Sequence, residues 1–583
     1  MGKWICNPLD LEYRYQYRTS LMGGYSLARE AADPTLLLFR DRYYLFASMS
    51  GGFWHSEDLA EWHFRETPEL PAYDYAPDVR EAGGRVVFSA SRRGEPCTFY
   101  VSSDPLTEPF TPVSTIFDFW DPDIFEDEDG RIYFYWGCTN KEPIWGIEMD
   151  PVTLLPVGEK QAMFGENEAH HGWERKGDNN KLSEPVTEMD RLIRQHVGTK
   201  PFIEGAFMTK HRGKYYLQYA APGTECNVYA DGVYVSDRPL GPFVYQAHNP
   251  FSSKPGGFIT AAGHGSTIRD RYGNWWHAST MRISVNESFE RRIGLFPCGF
   301  DEDGMLYCNQ NFADYPYVMP KGQRTEEEDA LPQMCLLSCR CKASASSAQE
   351  GFGPEKGVDE SIRTWWAARE DDAAPWYEID LGAVRQVRAI QINLADHKMP
   401  PQNISQSEMV GNQTGARHIF VQPQITGYLL EGSADGREWM TLLDAGKERS
   451  DRPHRLLVPD EPADLRYLRL SGFAIPFGGV PAVSGLRVFG PAQGEAPESV
   501  KRVKAVRSED GLNILLQWST AAGAQGYNVR YGIAPEKLYN SWQVINGTEL
   551  DLSMVNAGQT YYIAVDSYGP GGVAAGEIMR VEG

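Results

Sequence analysis

The sequence predicts an all-β protein whose first half is a five-bladed β-propeller. Gly (57) and Pro (38) are plentiful and the apolar runs are short, which favours strands joined by turns over long helices. One sequence pattern recurs five times in the first 310 residues: a polar or acidic start, a strand, a charged turn and an aromatic-rich strand. Most of these repeats are followed by a second pair of strands. A unit then has four strands, and the units are spaced by about 45 residues, which is typical of propeller blades.

Each repeat has the signals of a β-hairpin, because β-branched and aromatic residues alternate around a DR, GG, DG, RG or YG turn. The repeats are DPTLLLFRDRYYLFAS from Asp33, APDVREAGGRVVFSAS from Ala76, DPDIFEDEDGRIYFYWG from Asp121, EGAFMTKHRGKYYLQYAA from Glu204 and HGSTIRDRYGNWWHAST from His264. Asp33 and Asp78 are 45 positions apart, whereas 83 positions separate Asp121 from Glu204. We therefore expect an insertion at residues 158–200, where the sequence is polar and compatible with helix.

Size and charge limit the classes of protein. A chain of 583 residues is too long for one core, and a net charge of −23 argues against nucleic acid or an anionic membrane as the main partner. No segment has the apolar length of a membrane span, and the first 20 residues lack the apolar core of a secretion signal. The nine cysteines are odd in number and do not form a disulfide framework. We expect reduced thiols and a cytoplasmic protein, with secretion left open if a leader was removed.

Three carboxylates open the first strand of a blade: Asp33, Asp121 and Glu204. The first strands of the blades line the central channel, so these side chains are expected to meet at one mouth. For any one of them, a turn residue that bonds its own backbone is about equally consistent with the sequence. In FWDPDIFEDEDG (119–130), the last four acidic residues belong to the hairpin turn, and Asp123 is second to Asp121 as a site residue.

Paired carboxylates suit the hydrolysis of a glycosidic bond. One carboxylic acid protonates the leaving oxygen and one carboxylate activates water; in the inverting reaction the two lie roughly 6.5–9.5 Å apart. The acid must stay protonated near neutral pH, and a third carboxylate close by helps because like charges raise a pKa.

Four motifs in order resemble glycoside hydrolase family 43: ADP (32–34), WDPDIFEDEDGRIYFYWG (120–137), IEGAFMTKHRGKYYLQY (203–219) and GHGSTIRDRYGNWW (263–276). The resemblance covers residues 20–318 and implies an inverting hydrolase of arabinose- or xylose-containing glycans. It also implies Asp33 as general base, Glu204 as general acid, and Asp121 as the residue that orients the acid and raises its pKa. His264 would lie on or beside a calcium ion or its water, or else be a hydrogen-bonded channel histidine.

Further residues are candidates for the substrate pocket. Phe53 and Trp54 are predicted to stack on a sugar ring, with inter-blade packing as the alternative. Asp78 would bind a hydroxyl group or form a turn, and the family resemblance implies that Arg282 contacts sugar hydroxyls. His170, His171 and Trp173 of the insertion form either a lip of the pocket or a solvated loop.

Two further β-domains are expected after a charged linker at residues 319–335. Residues 336–492 resemble the F5/8 type C (discoidin) domain, a jelly-roll-like β-sandwich related to carbohydrate-binding module family 32, with an extra loop near residues 398–422. It would either bind sugar or clamp the propeller. Residues 499–583 resemble a fibronectin type III β-sandwich, with Trp518 in its core and Tyr561 as its corner tyrosine.

The sequence thus predicts an exo-acting, inverting glycosidase that releases terminal L-arabinofuranose or D-xylose from plant-derived oligosaccharides, with α-L-arabinofuranosidase ranked ahead of β-D-xylosidase. A β-galactofuranosidase or exo-galactanase stays open, and so does a propeller that binds glycans without cleaving them. No cofactor is expected for the chemistry, apart from the structural calcium named above, and the sequence does not predict the oligomeric state.

Overall fold

The computed structural model describes residues 2–19, 25–92, 94–325, 331–399, 409–411, 417–420 and 422–583. Almost all of the regular structure is β-strand, as predicted. Three blades of a propeller are separate four-stranded sheets, and the other two lie in one eight-stranded sheet, joined by a single parallel pair between Ala230 and Ala262. Trp4–Ile5 pairs with Tyr317–Val318 and so brings the two ends of the propeller together.

The first three blades follow one another along the chain. Their strands, blade by blade, are Thr35–Phe39, Arg42–Phe46, Gly52–Ser56 and His63–Glu66; Tyr75–Ala82, Arg85–Ser91, Thr98–Ser102 and Thr111–Thr115; and Asp123–Glu126, Ile132–Trp136, Ile144–Met149 and Pro156–Phe164.

The fourth and fifth blades come after the insertion. Their strands are Glu204–His211, Lys214–Ala221, Ala230–Ser236 and Val244–Tyr245; and Thr260–Arg269, Trp275–Arg282, Arg291–Phe300 and Leu306–Cys308.

A left-handed residue lies within two residues of the start of four inner strands, and at the fifth position of the inner strand Thr260–Arg269. The φ angle is 50° at Asp33, Ala76 and Asp121, 64° at Gly205 and 49° at His264. Side chains other than glycine seldom adopt this conformation, and it tends to persist where the surrounding structure enforces it. We call these five residues the head residues.

Hydroxyl groups hold three of the head residues from the preceding blade. The Asp33 amide donates to Thr280 Oγ1 (2.8 Å), the Ala76 amide to Ser48 Oγ (2.7 Å) and the Asp121 amide to Ser91 Oγ (2.9 Å). Each hydroxyl lies within two residues of the end of its blade's second strand, in FAS, SAS and HAST. The repeat therefore fixes the channel mouth from one blade to the next.

The insertion between the third and fourth blades contains the 3₁₀ turns Gly172–Glu174 and Asp178–Asn180 and the α-helix Glu188–Val197. Trp173 is fully buried in a cluster that includes core residues of the C-terminal sandwich. His171 bonds Glu174 through Nδ1 at 2.8 Å and stacks on Tyr245. His171 and Trp173 therefore join domains and do not form a pocket lip, and the His170 carbonyl accepts the Ala557 amide.

A four-stranded sheet joins distant parts of the chain; we call it the bridge sheet. Its strands are Tyr25–Glu30, Arg14–Thr19, Arg417–Phe420 and Met409–Gly411, in that order. The last two belong to the predicted loop near residues 398–422, which is therefore partly strand rather than only loop. Gln16 pairs with Ile419, and Arg18 with Arg417.

The middle domain is a sandwich of two five-stranded sheets. One contains Cys335–Leu336, Trp366–Ala367, Ala389–Leu394, His454–Leu457 and Ala482–Gly490; the other contains Lys342–Ala345, Tyr377–Val387, Gly427–Ser433, Met440–Asp444 and Ala463–Ala474. Its short helical segments are Pro354–Gly357, Ala445–Glu448 and Pro476–Gly478.

The C-terminal domain is a second, smaller sandwich. Its strands are Lys504–Arg507, Ile514–Gln517 and Glu549–Leu552 in one sheet, and Gly526–Gly532, Asn540–Val544, Tyr561–Gly569, Gly572–Ala574 and Met579–Val581 in the other. Trp518 is buried, and the Tyr561 hydroxyl accepts the Asn556 amide at 2.9 Å. No helix among the described residues has the length and apolar character needed to cross a membrane.

Candidate active site

Four charged side chains from four blades meet at the channel mouth: Asp33, Asp121, Glu204 and His264. The imidazole Nδ1 of His264 lies 3.5 Å from Asp33 Oδ1 and 3.7 Å from Asp121 Oδ2. Asp121 Oδ2 accepts the Gly205 amide at 3.2 Å, directly after Glu204. The structure therefore brings together the three carboxylates and the histidine that the sequence predicts.

Asp33 is held as a carboxylate. Ser48 Oγ donates to its Oδ2 at 2.6 Å, and Arg291 Nη1 donates to its Oδ1 at 3.0 Å. Burial alone would raise the pKa of Asp33, but Arg291, His264 and the hydroxyl donors outweigh it and lower the pKa. The group is therefore ionised near neutral pH, as a general base requires.

Asp121 and Glu204 have pKa values shifted in the opposite direction. Burial raises the pKa of Asp121 to about 7; Glu204 and Asp33 add to this, while His264 and the Gly205 amide oppose it. Burial also raises the pKa of Glu204, against the lowering effects of His264, Cys138 and Tyr229. A proton is therefore available on this side of the mouth at mildly acidic to neutral pH.

Two donors that the sequence analysis missed hold the Glu204 carboxyl group. Cys138 Sγ donates to Oε2 at 3.0 Å, and the Tyr229 hydroxyl makes a short hydrogen bond to Oε1. Cys138 follows the third blade's second strand, and Tyr229 precedes the fourth blade's third strand. Neither position repeats in other blades, so the repeat carried no signal for them.

His264 is fixed from behind by Asp231. The carboxylate of Asp231 accepts the backbone amides of His264 (2.7 Å) and Gly265 (3.0 Å) and bonds His277 Nε2 at 2.9 Å. Burial lowers the pKa of His264, but Asp33, Asp121, Glu204 and Asp231 outweigh burial and raise it. The ring packs on Gly205, where a Cβ atom would lie 2.8 Å from it.

The donor set at His264 does not fit direct coordination of calcium. Calcium takes six to eight oxygen ligands. Ser48 and Arg291 already donate to the Asp33 oxygens, and two amides and His277 occupy Asp231. A calcium ion that reaches His264 through a water molecule stays a prediction.

Ion pairs connect the general-base candidate to the bridge sheet. Besides Asp33, Arg291 contacts Glu30 Oε1 at 2.9 Å, and Glu30 contacts the Arg417 guanidinium. Arg417 lies over the ring of Tyr75 (4.9 Å), and Arg18 over that of Phe289 (5.0 Å). The bridge sheet thus presents cations to aromatic residues beside the mouth.

Phe53 and Trp54 are not placed to stack on a sugar. Phe53 is 0% exposed and stacks on Phe46 in the core between the first and second blades. Trp54 is 1% exposed and lies in a cluster with residues of the fifth blade, such as Trp276. Because both faces of a blade pack on neighbouring blades, both residues of this strand are buried. Their placement agrees with the packing alternative.

Asp78 does not occupy the position of Asp33 and Asp121. Pro34, Pro77 and Pro122 align the three blades, so the head residue of the second blade is Ala76. Asp78 Oδ2 instead accepts the Ile124 amide at 2.8 Å, and Asp123 Oδ2 accepts the Met208 amide at 2.8 Å. Both carboxylates therefore join one blade to the next.

Arg282 is occupied by a residue of the insertion. Its Nη1 and Nη2 atoms donate to the two carboxylate oxygens of Asp178, at 2.6 and 3.2 Å. The side chain is buried, and Asp178 is half exposed. In this arrangement Arg282 secures the insertion against the fifth blade rather than contacting a sugar hydroxyl.

Two relatives share part of this sequence. A "Beta-xylosidase" from Xylanibacter ruminicola is 30% identical over 139 residues, and a "Xylosidase/arabinosidase" from Bacteroides ovatus is 29% identical over 142 residues. Each match covers 22% of this chain and 39% of the relative, so the chain matches well under half of the length of either. A solved "Glycoside hydrolase" structure aligns with 79% of this chain and 97% of its own, at 20% identity and a TM-score of 0.46.

The family model described as Glycosyl hydrolases family 43 matches residues 27–306. This range contains the strands of all five blades except for Tyr307 and Cys308 of the last strand, and it contains the four charged residues at the channel mouth. Residues 27–306 are therefore a glycosyl hydrolases family 43 domain.

Proposed function

We propose that the protein is an exo-acting, inverting glycoside hydrolase that releases terminal L-arabinofuranose or D-xylose from oligosaccharides. One observation carries this proposal: Asp33 and Glu204 face the same channel mouth with pKa values shifted in opposite directions. A lowered pKa suits the base that activates water, and a raised pKa suits the acid that protonates the leaving oxygen.

The proposed reaction is a single displacement. Asp33 takes a proton from water, the water oxygen attacks the anomeric carbon, and Glu204 protonates the departing glycosidic oxygen. Arg291 and Ser48 hold Asp33 so that it faces the water. Asp121 positions the backbone of Glu204 through the Gly205 amide, and the charge of Glu204 raises the pKa of Asp121.

The choice of sugar is supported by the relatives. One is named a xylosidase and the other a xylosidase/arabinosidase, so a pentose is the substrate class we propose. A β-galactofuranosidase or exo-galactanase on the same fold is tested beside it. Assays with nitrophenyl α-L-arabinofuranoside, β-D-xylopyranoside and β-D-galactofuranoside rank the three. NMR of the first product anomer then separates inversion from retention.

Two variants test the roles of the residues. Asp33→Asn should abolish hydrolysis even with activated leaving groups, because water activation is lost. Glu204→Gln should keep more activity on those substrates than on natural glycosides, because they need less protonation. Equal losses on all leaving groups would contradict the assignment of base and acid. Sugar binding without release from any substrate would instead support a binding protein.

A further inference from the structure

Cys138 lies beside Asp121 and Glu204, the two carboxyl groups of the channel mouth that have raised pKa values. Its Sγ atom is 3.0 Å from Glu204 Oε2, and ligand atoms of Cys138, Asp121 and Glu204 all lie within 4.8 Å of one another. Seven of the nine cysteines are buried, whereas Cys138 is only partly buried. The reaction proposed above gives this thiol no role.

We propose that Cys138 is a positioning residue for Glu204: its S–H group holds Oε2 in place and favours the carboxylate over the acid less than a hydroxyl group would. This inference rests on the proposed function, in which Glu204 is the general acid. A thiol is a weak hydrogen-bond donor and acceptor, and a hydroxyl group is a stronger one. A stronger donor at the same place would stabilise the charged form and weaken the acid's ability to remain protonated.

The thiol itself stays neutral. Burial raises the pKa of Cys138 well above its ordinary value, and Asp121 and Glu204 raise it further. Cys138 therefore contributes a proton donor and no negative charge. Tyr229 donates to the other oxygen, Oε1, so each oxygen of the Glu204 carboxyl group has its own donor.

Other charged groups near Glu204 also influence its protonation. Asp121 comes from the third blade and His264 from the fifth, while Asp33 of the first blade raises the pKa of Glu204 from across the mouth. Asp231 is bonded to the His264 amide, and Arg291 to Asp33. None of these changes in a Cys138 variant, so a shift in protonation reports on the thiol.

The test is the pH dependence of kcat/KM in two variants. Cys138→Ser should lower the pKa of the basic limb, because a stronger donor favours the carboxylate. Cys138→Ala should raise it, because a donor to the carboxylate is lost. Each shift should be about half to one pH unit, the size expected for one hydrogen bond. Assays should contain a chelator, because the three ligand groups lie close enough to hold a cation.

Cys308 provides the matched control. It is buried in the fifth blade, and its Sγ contacts the Pro297 carbonyl at 3.6 Å. Cys308→Ser and Cys308→Ala should leave both limbs of the profile unchanged. A purely structural role for Cys138 would lower kcat in both variants without shifting their basic limbs in opposite directions. The proposal would be overturned if the pKa of the basic limb stayed unchanged in both Cys138 variants, or if it shifted in the same direction in both.

A second measurement needs no turnover. Infrared titration of the carboxylic-acid C=O stretch, taken as the difference between the wild-type protein and Glu204→Gln, reports the pKa of Glu204 directly. The same opposite shifts are expected in Cys138→Ser and Cys138→Ala. If no substrate is hydrolysed, the proposed function fails, while this titration still decides whether the thiol controls Glu204.

Discussion

Arg291 Nη1 lies 3.0 Å from Asp33 Oδ1, so the carboxylate proposed to activate water is held by a cation from the fifth blade. The same guanidinium contacts Glu30 of the bridge sheet at 2.9 Å. One arginine therefore serves two buried carboxylates, and its charge keeps the pKa of Asp33 low.

Replacing Arg291 should move the acidic limb of the activity profile. In Arg291→Met the pKa of Asp33 should rise, so kcat/KM should fall at acid pH where the base becomes protonated. Arg291→Lys keeps a charge and should shift the limb less. The neighbouring Arg292 bonds His454 and the Arg29 carbonyl, so Arg292→Lys serves as the control. An acidic limb unchanged in Arg291→Met would contradict the role given to this arginine.

Gly205 has no room for a side chain. Its φ angle is +64°, and a Cβ atom would lie 2.8 Å from the His264 ring. Gly205→Ala should therefore displace His264 or Glu204 and lower kcat by about 100-fold, the order expected for a misplacement of 1 Å. Gly213 has a φ angle of +77°, and a Cβ atom there would meet nothing within 4 Å, so Gly213→Ala is the matched control. The steady-state kinetics of Gly213→Ala report the effect of backbone strain alone. Those of Gly205→Ala report backbone strain together with the contact on the His264 ring.

Trp54 should matter for stability and not for substrate binding. Trp54→Ala removes a fully buried ring between two blades and should lower the free energy of unfolding by about 3–5 kcal/mol. The KM of the folded fraction should stay unchanged. Urea unfolding and steady-state kinetics measure the two effects. A raised KM with undiminished stability would restore the stacking role for Trp54.

Asp121 should make stability depend on pH. Its pKa is raised from 3.8 to about 7, so between these values the folded protein binds more protons than the unfolded chain. Stability contributed by the protonated group is then fully present below pH 3.8 and is lost as the pH rises towards 7. Asp121→Asn should therefore gain stability relative to the wild type across this window. Chemical denaturation at several pH values measures the free energy of unfolding of both proteins. If the difference between Asp121→Asn and the wild type does not vary with pH, this counts against the raised pKa of Asp121.

Arg282 and Asp178 should behave as one interaction. Arg282→Met and Asp178→Asn should each lower stability, and the double variant should be less destabilised than the sum of the two, because both remove the same ion pair. A double-mutant cycle measures the coupling. Additive losses, together with a raised KM in Arg282→Met alone, would support contact with a sugar instead.

The repeat predicted the site because it encodes the channel mouth. Asp33 and Asp121 are followed by proline and precede a strand, and a serine or threonine lies within two residues of the end of the second strand in three blades. The same prolines place Ala76 at the head of the second blade, so the error at Asp78 came from aligning the nearest carboxylate rather than the proline.

Other features had no local signal in the sequence. The local sequence around Phe53 and Trp54 does not show whether their strand faces solvent or a neighbouring blade. Only the packing of the blades against one another determines this. Cys138 and Tyr229 belong to connections that do not repeat. Arg18 pairs with Arg417 across almost 400 positions, and periodicity carries no information about such a pairing.

The bridge sheet means that the catalytic module cannot be exchanged between proteins as a cassette. A fragment limited to residues 27–306 would lack Arg14–Thr19, the strand with which Tyr25–Glu30 pairs, and Arg417–Phe420, which pairs with Arg14–Thr19 in turn. It would also leave Arg29 a buried cation without Asp396 and Asp451. An unpaired buried charge costs several kcal/mol, so inheritance, recombination and engineering have to treat the propeller and its middle sandwich as one unit.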